Sequence, residues 1–246
     1  MAHNIEALRD RFGRLLDVLC KDFNLGNYID GSCPEDIECN WEEYDDAADH
    51  YGVWTGSGCT KLVIGDDNCD YIIKFCPNES DYDYCAREAM VYEEAVRAGY
   101  ADKFAWCAKL FDYEFNDWYT LPIYVMEWCQ CSYDMIDDEM DDWHYTKYCS
   151  SHHTEKNDDM REKYLNSDER CQKDYGERMM EWAYSVWGLD YNAPVAPEEG
   201  ISIAEFMRKM YINDIHAGNW GWHDNKLVLV DYSGYGENEQ ERNIDY

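Results

Sequence analysis

Apolar residues near the start of the chain recur at helical spacing. Ile5, Leu8, Phe12, Leu15, Leu16 and Leu19 share one side of "NIEALRDRFGRLLDVLCKDF". With Asn4 as cap, this predicts an amphipathic helix over 4–23 that packs on another element. Between 24 and 48 the period is lost among Gly, Asp and Glu, and the segment reads as a connection. From 51 the pattern turns to strands: "YGVWTGSGCTKLVIGDDNCDYIIKFC" predicts strand, glycine turn, strand, "GDDN" turn, strand. A helix follows over 81–98, with Ala86, Ala89, Met90, Ala95 and Val96 on its inner side. "KFAWCAKLFDYEF" and "YTLPIYVMEWC" then predict two further strands joined by "NDW".

After 132 the chain becomes helical and charged to about 190, with a further helix over 202–211. Five strands with one helix inserted after the third, followed by helices, predict an α+β chain of two lobes. The boundaries are an N-terminal helix and connection over 1–48, a strand-rich lobe over 49–127 and a helical lobe over 128–246. Glu127 and Trp128 form the hinge.

Charge narrows the function. Twenty-one basic against 53 acidic residues give a net charge of −32. Such a field repels nucleic acid and anionic membranes, which argues against both as partners. It either attracts a basic partner or keeps an aromatic-rich chain in solution. Twelve cysteines include no C-x-x-C pair, the first residues lack an apolar signal core, and no run of about 18 apolar residues occurs. The expectation is a cytoplasmic protein whose thiols are reduced and serve as small core hydrophobes. Cys149, His152 and His153 are the best metal cluster, but without a fourth ligand they read as a solvated loop.

Three stretches carry candidate chemistry. "GSGCTKLV", residues 56–63, places Gly56, Ser57 and Gly58 where backbone N–H groups face an anion, although a simple hairpin turn uses the same glycines. Lys74 stands in the apolar strand "DYIIKFC", a costly place for an ammonium group without a partner; the alternative is an edge-strand lysine facing solvent. "NDIHAGNWGWHDNKLVLVDYSG" brings Asp214, Asn219 five residues later, and Asp231 at the end of an apolar run.

The order glycine loop, strand lysine, helix glutamate, hinge, Asp-x4-Asn and strand-end Asp, over about 50–234, resembles the protein kinase-like superfamily. That group includes small-molecule phosphotransferases and reduced phage kinases. The resemblance implies a bilobal kinase-like fold with a five-stranded N-lobe and a reduced, mostly helical C-lobe. It further implies that Gly56, Ser57, Gly58, Lys74, Glu88, Glu127 and Trp128 hold ATP, with Glu88 (or Glu93 or Glu94) orienting Lys74. Asn219 and Asp231 would bind Mg²⁺, and Asp214 would receive the acceptor hydroxyl's proton. Departures are equally specific. Lys61 stands where the third glycine belongs, and Ile212-Asn213 replaces His-Arg. His216 follows Asp214 by two, read first as ordering the loop. Trp220, Trp222 and His223 read as packing beneath it. Twelve residues follow "DYSG", leaving no activation segment.

The expected function is ATP:Mg²⁺-dependent phosphoryl transfer to a hydroxyl of a protein, preferred, or of a small molecule. The alternative is an inactive, acidic kinase-like module that binds a basic partner.

Overall fold

The structure is a computed structural model that describes residues 3–23, 25, 52–57, 61–66, 69–77, 84–115, 117, 119–171, 173–189 and 201–234. The chain divides into two compact units, Met1–Glu94 with Ala105–Trp128, and Ala95–Phe104 with Cys129–Tyr246.

The first unit is α+β. It contains α1 (Ile5–Phe23), β1 (Val53–Ser57), β2 (Leu62–Asp66), β3 (Tyr71–Phe75), most of α2 (Tyr84–Ala98), β4 (Cys107–Glu114) and β5 (Thr120–Glu127). The strands form one antiparallel sheet in the order β1-β2-β3-β5-β4, which makes β3 the central strand. Strand alternation sorts its residues by face. Leu62, Ile64, Ile73, Phe75, Leu121, Ile123 and Val125 join Leu8, Phe12, Leu16 and Leu19 of α1 in one core. The N-terminal helix therefore closes the sheet. Asn4 caps it by accepting from the Ala7 N–H at 3.2 Å. Polar bonds fix its position: Arg11 reaches Asp66 Oδ2 at 2.8 Å, Arg9 Nε donates to the Leu110 carbonyl at 2.7 Å, and Tyr113 Oη donates to Asp17 at 2.9 Å.

One face assignment changes. In α2 the buried positions are Cys85, Arg87, Glu88, Val91 and Ala95, whereas Val96 is 53% exposed. The helix turns a carboxylate inward, so an apolar stripe alone does not locate its inner side.

The second unit is mostly helical: α3 (Tyr133–Ser151), α4 (Asp158–Leu165), α5 (Asp168–Cys171), α6 (Tyr175–Val186), α7 (Ile203–Lys209) and the hairpin β6 (Trp220–His223) and β7 (Lys226–Leu229). Ser132, Asn157, Asp174 and Ser202 cap α3, α4, α6 and α7 by accepting first-turn N–H groups. The hairpin turns at Asp224 and Asn225, both with positive φ, as a two-residue turn of this hand requires. Trp220, read from sequence as loop packing, begins β6 and is fully buried, 5.4 Å from the Trp187 ring. No helix among the described residues is long and apolar enough to cross a membrane.

Replacing the fully buried Leu16 with Ala removes core contacts on the sheet. The expected cost is about 2–5 kcal/mol in urea unfolding, against about 0.5 kcal/mol or less for the exposed Arg14→Ala. In the second unit, burial holds the His144 imidazole below its ordinary value, outweighing the hydrogen bond to the Arg178 carbonyl and the nearby Glu181. Unfolding restores the ordinary pKa of about 6.5, so the unfolded chain takes up the proton first. The His144 contribution is complete above that pH and is lost as pH falls below it. His144→Gln is expected to flatten the fall of Tm between about pH 7 and 5 relative to wild type.

Candidate functional site

Strand alternation sends Ile73 and Phe75 to the α1 core and Lys74 to the opposite face of the central strand. Lys74 is only 5% exposed and Glu88 is fully buried. The Lys74 Nζ lies 3.0 Å from Glu88 Oε2 and 3.2 Å from Oε1. Glu88 is thus the helix residue brought to Lys74, while Glu93 is exposed and Glu94 half-buried. The edge-strand alternative fails, because β3 pairs with β2 on one side and β5 on the other. Met126 Sδ, 3.7 Å from the same ammonium, supplies soft contact on its flank.

Lys61 makes the arrangement unusual. Sequence reasoning noted it only as a substitute for a glycine. In the structure it is buried just before β2, with its Nζ donating to Glu88 Oε1 at 2.8 Å. One buried carboxylate therefore holds two ammonium groups. The available signal was a lysine beside the apolar run Leu62–Ile64, a position that strand packing draws inward. Gly56 and Ser57 lie within β1, paired with Val63 and Leu62. Gly58 falls outside the described residues. Glu127 ends β5 and accepts from the Trp106 N–H at 3.1 Å, while the Trp128 N–H donates to the Asp70 carbonyl at 2.8 Å.

In the second unit, a short 3-10 turn, Ala217–Asn219, organises the Asp214 loop. Asn219 is the hub. Its side-chain Nδ2 donates to the Asp214 carbonyl at 2.8 Å. Its backbone carbonyl accepts from Val230 at 2.9 Å and faces the Asp231 N–H at 3.5 Å. The five-residue interval from Asp214 and the segment that follows β7 to Asp231 meet on this one residue. Because Nδ2 is occupied, the Oδ1 end of the Asn219 amide is the one left to accept a cation.

His216 has both roles weighed for it. Its Nδ1 accepts from the Gly218 N–H at 3.1 Å, which puts the proton on Nε2, 3.6 Å from Asp214 Oδ2. It orders the turn and faces the carboxylate. Behind Asp231, Tyr232 is fully buried and meets Phe104 edge-on at 5.2 Å, and Ser233 Oγ donates to Asp231 Oδ1 at 3.2 Å. Gly234 has φ +71°, and a Cβ there would lie 2.2 Å from the Tyr211 carbonyl oxygen. Only glycine lets the Asp231 segment run this close to the turn after α7 that leads into the Asp214 loop.

Asn219 and Asp231 offer two hard oxygen donors, the ligand type that Mg²⁺ takes together with water and phosphate oxygens, so their chemistry is compatible with Mg²⁺. Among the described residues no group of three or more His, Cys, Asp or Glu side chains could hold a metal by themselves. Cys149 lies inside α3 rather than in a loop, buried against Tyr145 and Tyr164, with His152 exposed at the helix end. Cys76 Sγ and Cys85 Sγ are 3.8 Å apart, a thiol contact and not a disulfide's bond of about 2 Å.

Glu88→Gln removes the carboxylate that both lysines share, and taking one partner from a buried ion pair is strongly destabilising. The expected loss is about 3–5 kcal/mol in chemical denaturation, larger than for Lys61→Met. No protein-family model, curated protein or solved structure matches the chain.

Proposed function

We propose that the chain is an ATP:Mg²⁺-dependent phosphotransferase of reduced protein kinase-like fold. The observation that carries this reading is the buried Lys74–Glu88 pair, with the lysine on a central strand and the glutamate on the helix that follows it. A lysine held in this way presents a fixed positive charge to the α- and β-phosphates of a nucleotide, and its glutamate keeps it extended. The second support is the loop in which Asn219 ties Asp214 to the start of the Asp231 segment.

Under this reading Asp214 accepts or orients the proton of the acceptor hydroxyl, with His216 as the positioning residue beside it. Asn219 Oδ1 and the Asp231 carboxylate would hold Mg²⁺, which supplies charge neutralisation at the phosphates. Catalysis is then positioning and electrostatics, with no covalent step on the protein. A groove of about 1050 Å³ in the second unit reaches Asp214. Asp174, Glu177 and Glu205 line it together with Met180, Met207 and Ile215, alongside Arg208 and Lys209. Its size and mixed acidic and apolar wall favour a side chain of a basic protein as acceptor over a small metabolite.

A second reading rests on Lys61. A cation seated on Glu88 from the position of the third glycine favours an inactive, acidic kinase-like module that binds a basic partner.

ATP with Mg²⁺ at a hundred times its Kd is expected to stabilise the chain by about 2.7 kcal/mol in a thermal-shift measurement, and Lys74→Ala and Asp231→Ala each to abolish the shift. Asp214→Asn is expected to keep nucleotide binding but lower phosphoryl transfer by about 10²–10⁴-fold. Absence of any shift in the wild type removes the phosphotransferase reading and leaves the binding module. Transfer undiminished in Asp214→Asn removes the role given to that residue.

A further inference from the structure

Basic residues are scarce in this chain, yet they gather in one place. The second unit has an open cavity of about 360 Å³ among α3, α4, α5 and α6. Lys147, Arg170, Lys173 and Arg178 line it, four of the seven basic residues between 132 and 178, a segment with fourteen acidic ones. The carboxylates facing them are fewer. Lys173 binds Glu181 Oε1 at 2.5 Å and Lys147 stands 3.5 Å from Oε2 of the same residue. Arg178 pairs with Asp141, and Arg170 reaches Asp141 only at 3.5 Å. Among the described side chains, four cations thus meet two carboxylates, an excess of two positive charges.

The wall also carries buried hydrogen-bond donors, with the Tyr164 phenol beside Arg170. Tyr164 Oη, Arg170 Nε and Arg178 Nε are buried without a hydrogen-bond partner, and Tyr164 and Arg178 are more than nine-tenths buried. Burial pushes the Tyr164 phenol up, so it remains an O–H donor at neutral pH. Burial by itself would raise the Glu181 carboxyl, but the Lys173 hydrogen bond and the charges of Lys147 and Lys173 outweigh it and hold it ionised. Buried polar groups in native proteins find partners, and buried donors beside four cations that share two carboxylates favour an acceptor of double negative charge. The long Lys147–Glu181 and Arg170–Asp141 separations are loose enough for both cations to turn to a ligand.

We propose that this cavity is a binding site for a compact phosphate-type oxyanion, separate from the Asp214 loop. Arginine forks match phosphate oxygens in pairs, and lysines add point charge. The chain's net charge of −32 does not prevent this. At physiological salt the Debye length is about 8 Å, so a bound dianion responds chiefly to the charges lining the cavity. A volume of this size holds a phosphate or pyrophosphate with room for a small esterified group.

The test titrates the full chain with inorganic phosphate, pyrophosphate and glycerol phosphate at a constant ionic strength of about 0.15 M, read by calorimetry and thermal shift. Wild type, Lys74→Ala and the double variant Lys147→Gln/Arg170→Gln are compared. The Lys147 and Arg170 side chains are 56% and 31% exposed, so the double variant is expected to fold, which near-ultraviolet circular dichroism checks. Should it not fold, Lys147→Gln alone supplies the comparison. The expected result is saturable binding that survives Lys74→Ala and weakens at least about tenfold in the cavity variant. Tighter binding of glycerol phosphate than of phosphate identifies an ester as ligand, and equal binding identifies the free ion; either supports the site. No saturable binding in wild type, or equal binding in the cavity variant, overturns it. Loss of binding in Lys74→Ala assigns the anion to the nucleotide residues and overturns it as well.

Discussion

A carboxylate without any exposed surface is stable in a protein only if cations and hydrogen bonds replace the water it has lost, and Glu88 is such a group. Much of the first unit follows from satisfying it. The central strand must carry Lys74 on the face away from the α1 core. The segment before β2 must turn Lys61 inward, and α2 must rotate until position 88 faces the sheet. The inward face of that helix is consequently a mixture of charge and small apolar residues. Two lysines on one carboxylate replace its lost water from two directions.

The second unit uses hydrogen bonds for a comparable purpose. Asn219 joins three chain segments through one side chain and one carbonyl. Gly234 and Tyr232 then hold the end of the Asp231 segment, one by permitting close backbone approach and the other by filling the space against Phe104. Loop carboxylates placed by backbone bonds in this way keep their geometry even where their own side chains are partly exposed. Where charge is concentrated, its distribution differs from the average. The chain is strongly acidic, yet Lys61 and Lys74 are buried on Glu88 in one unit, and four cations gather at the cavity formed by α3 to α6 in the other.

How much was legible beforehand depends on whether the information was local. The five strands, the inserted helix and the Asn4 cap were readable, because alternation, 3.6-residue spacing and cap chemistry are properties of adjacent residues. So was the five-residue spacing of Asp214 and Asn219. The helix containing Cys149 was misread as a loop, since charge and histidine content say little about helical geometry. The β6 strand was missed because its Trp-Gly-Trp-His run is short and its turn residues, Asp224 and Asn225, were not recognised as a pair with positive φ.

Sequence alone therefore determined most of the elements, their order, the extreme charge and the candidate site residues. Tertiary structure decided which of them meet. Only the order of strands made β3 central and Lys74 buried, and only the rotation of α2 selected Glu88 over Glu93 and Glu94. Lys61 became a partner of the same carboxylate, and Lys147, Arg170, Lys173 and Arg178 became one cavity wall. Ion pairs and cavities join residues distant along the chain, and their energies depend on burial and separation in space, quantities that no local pattern of residues contains.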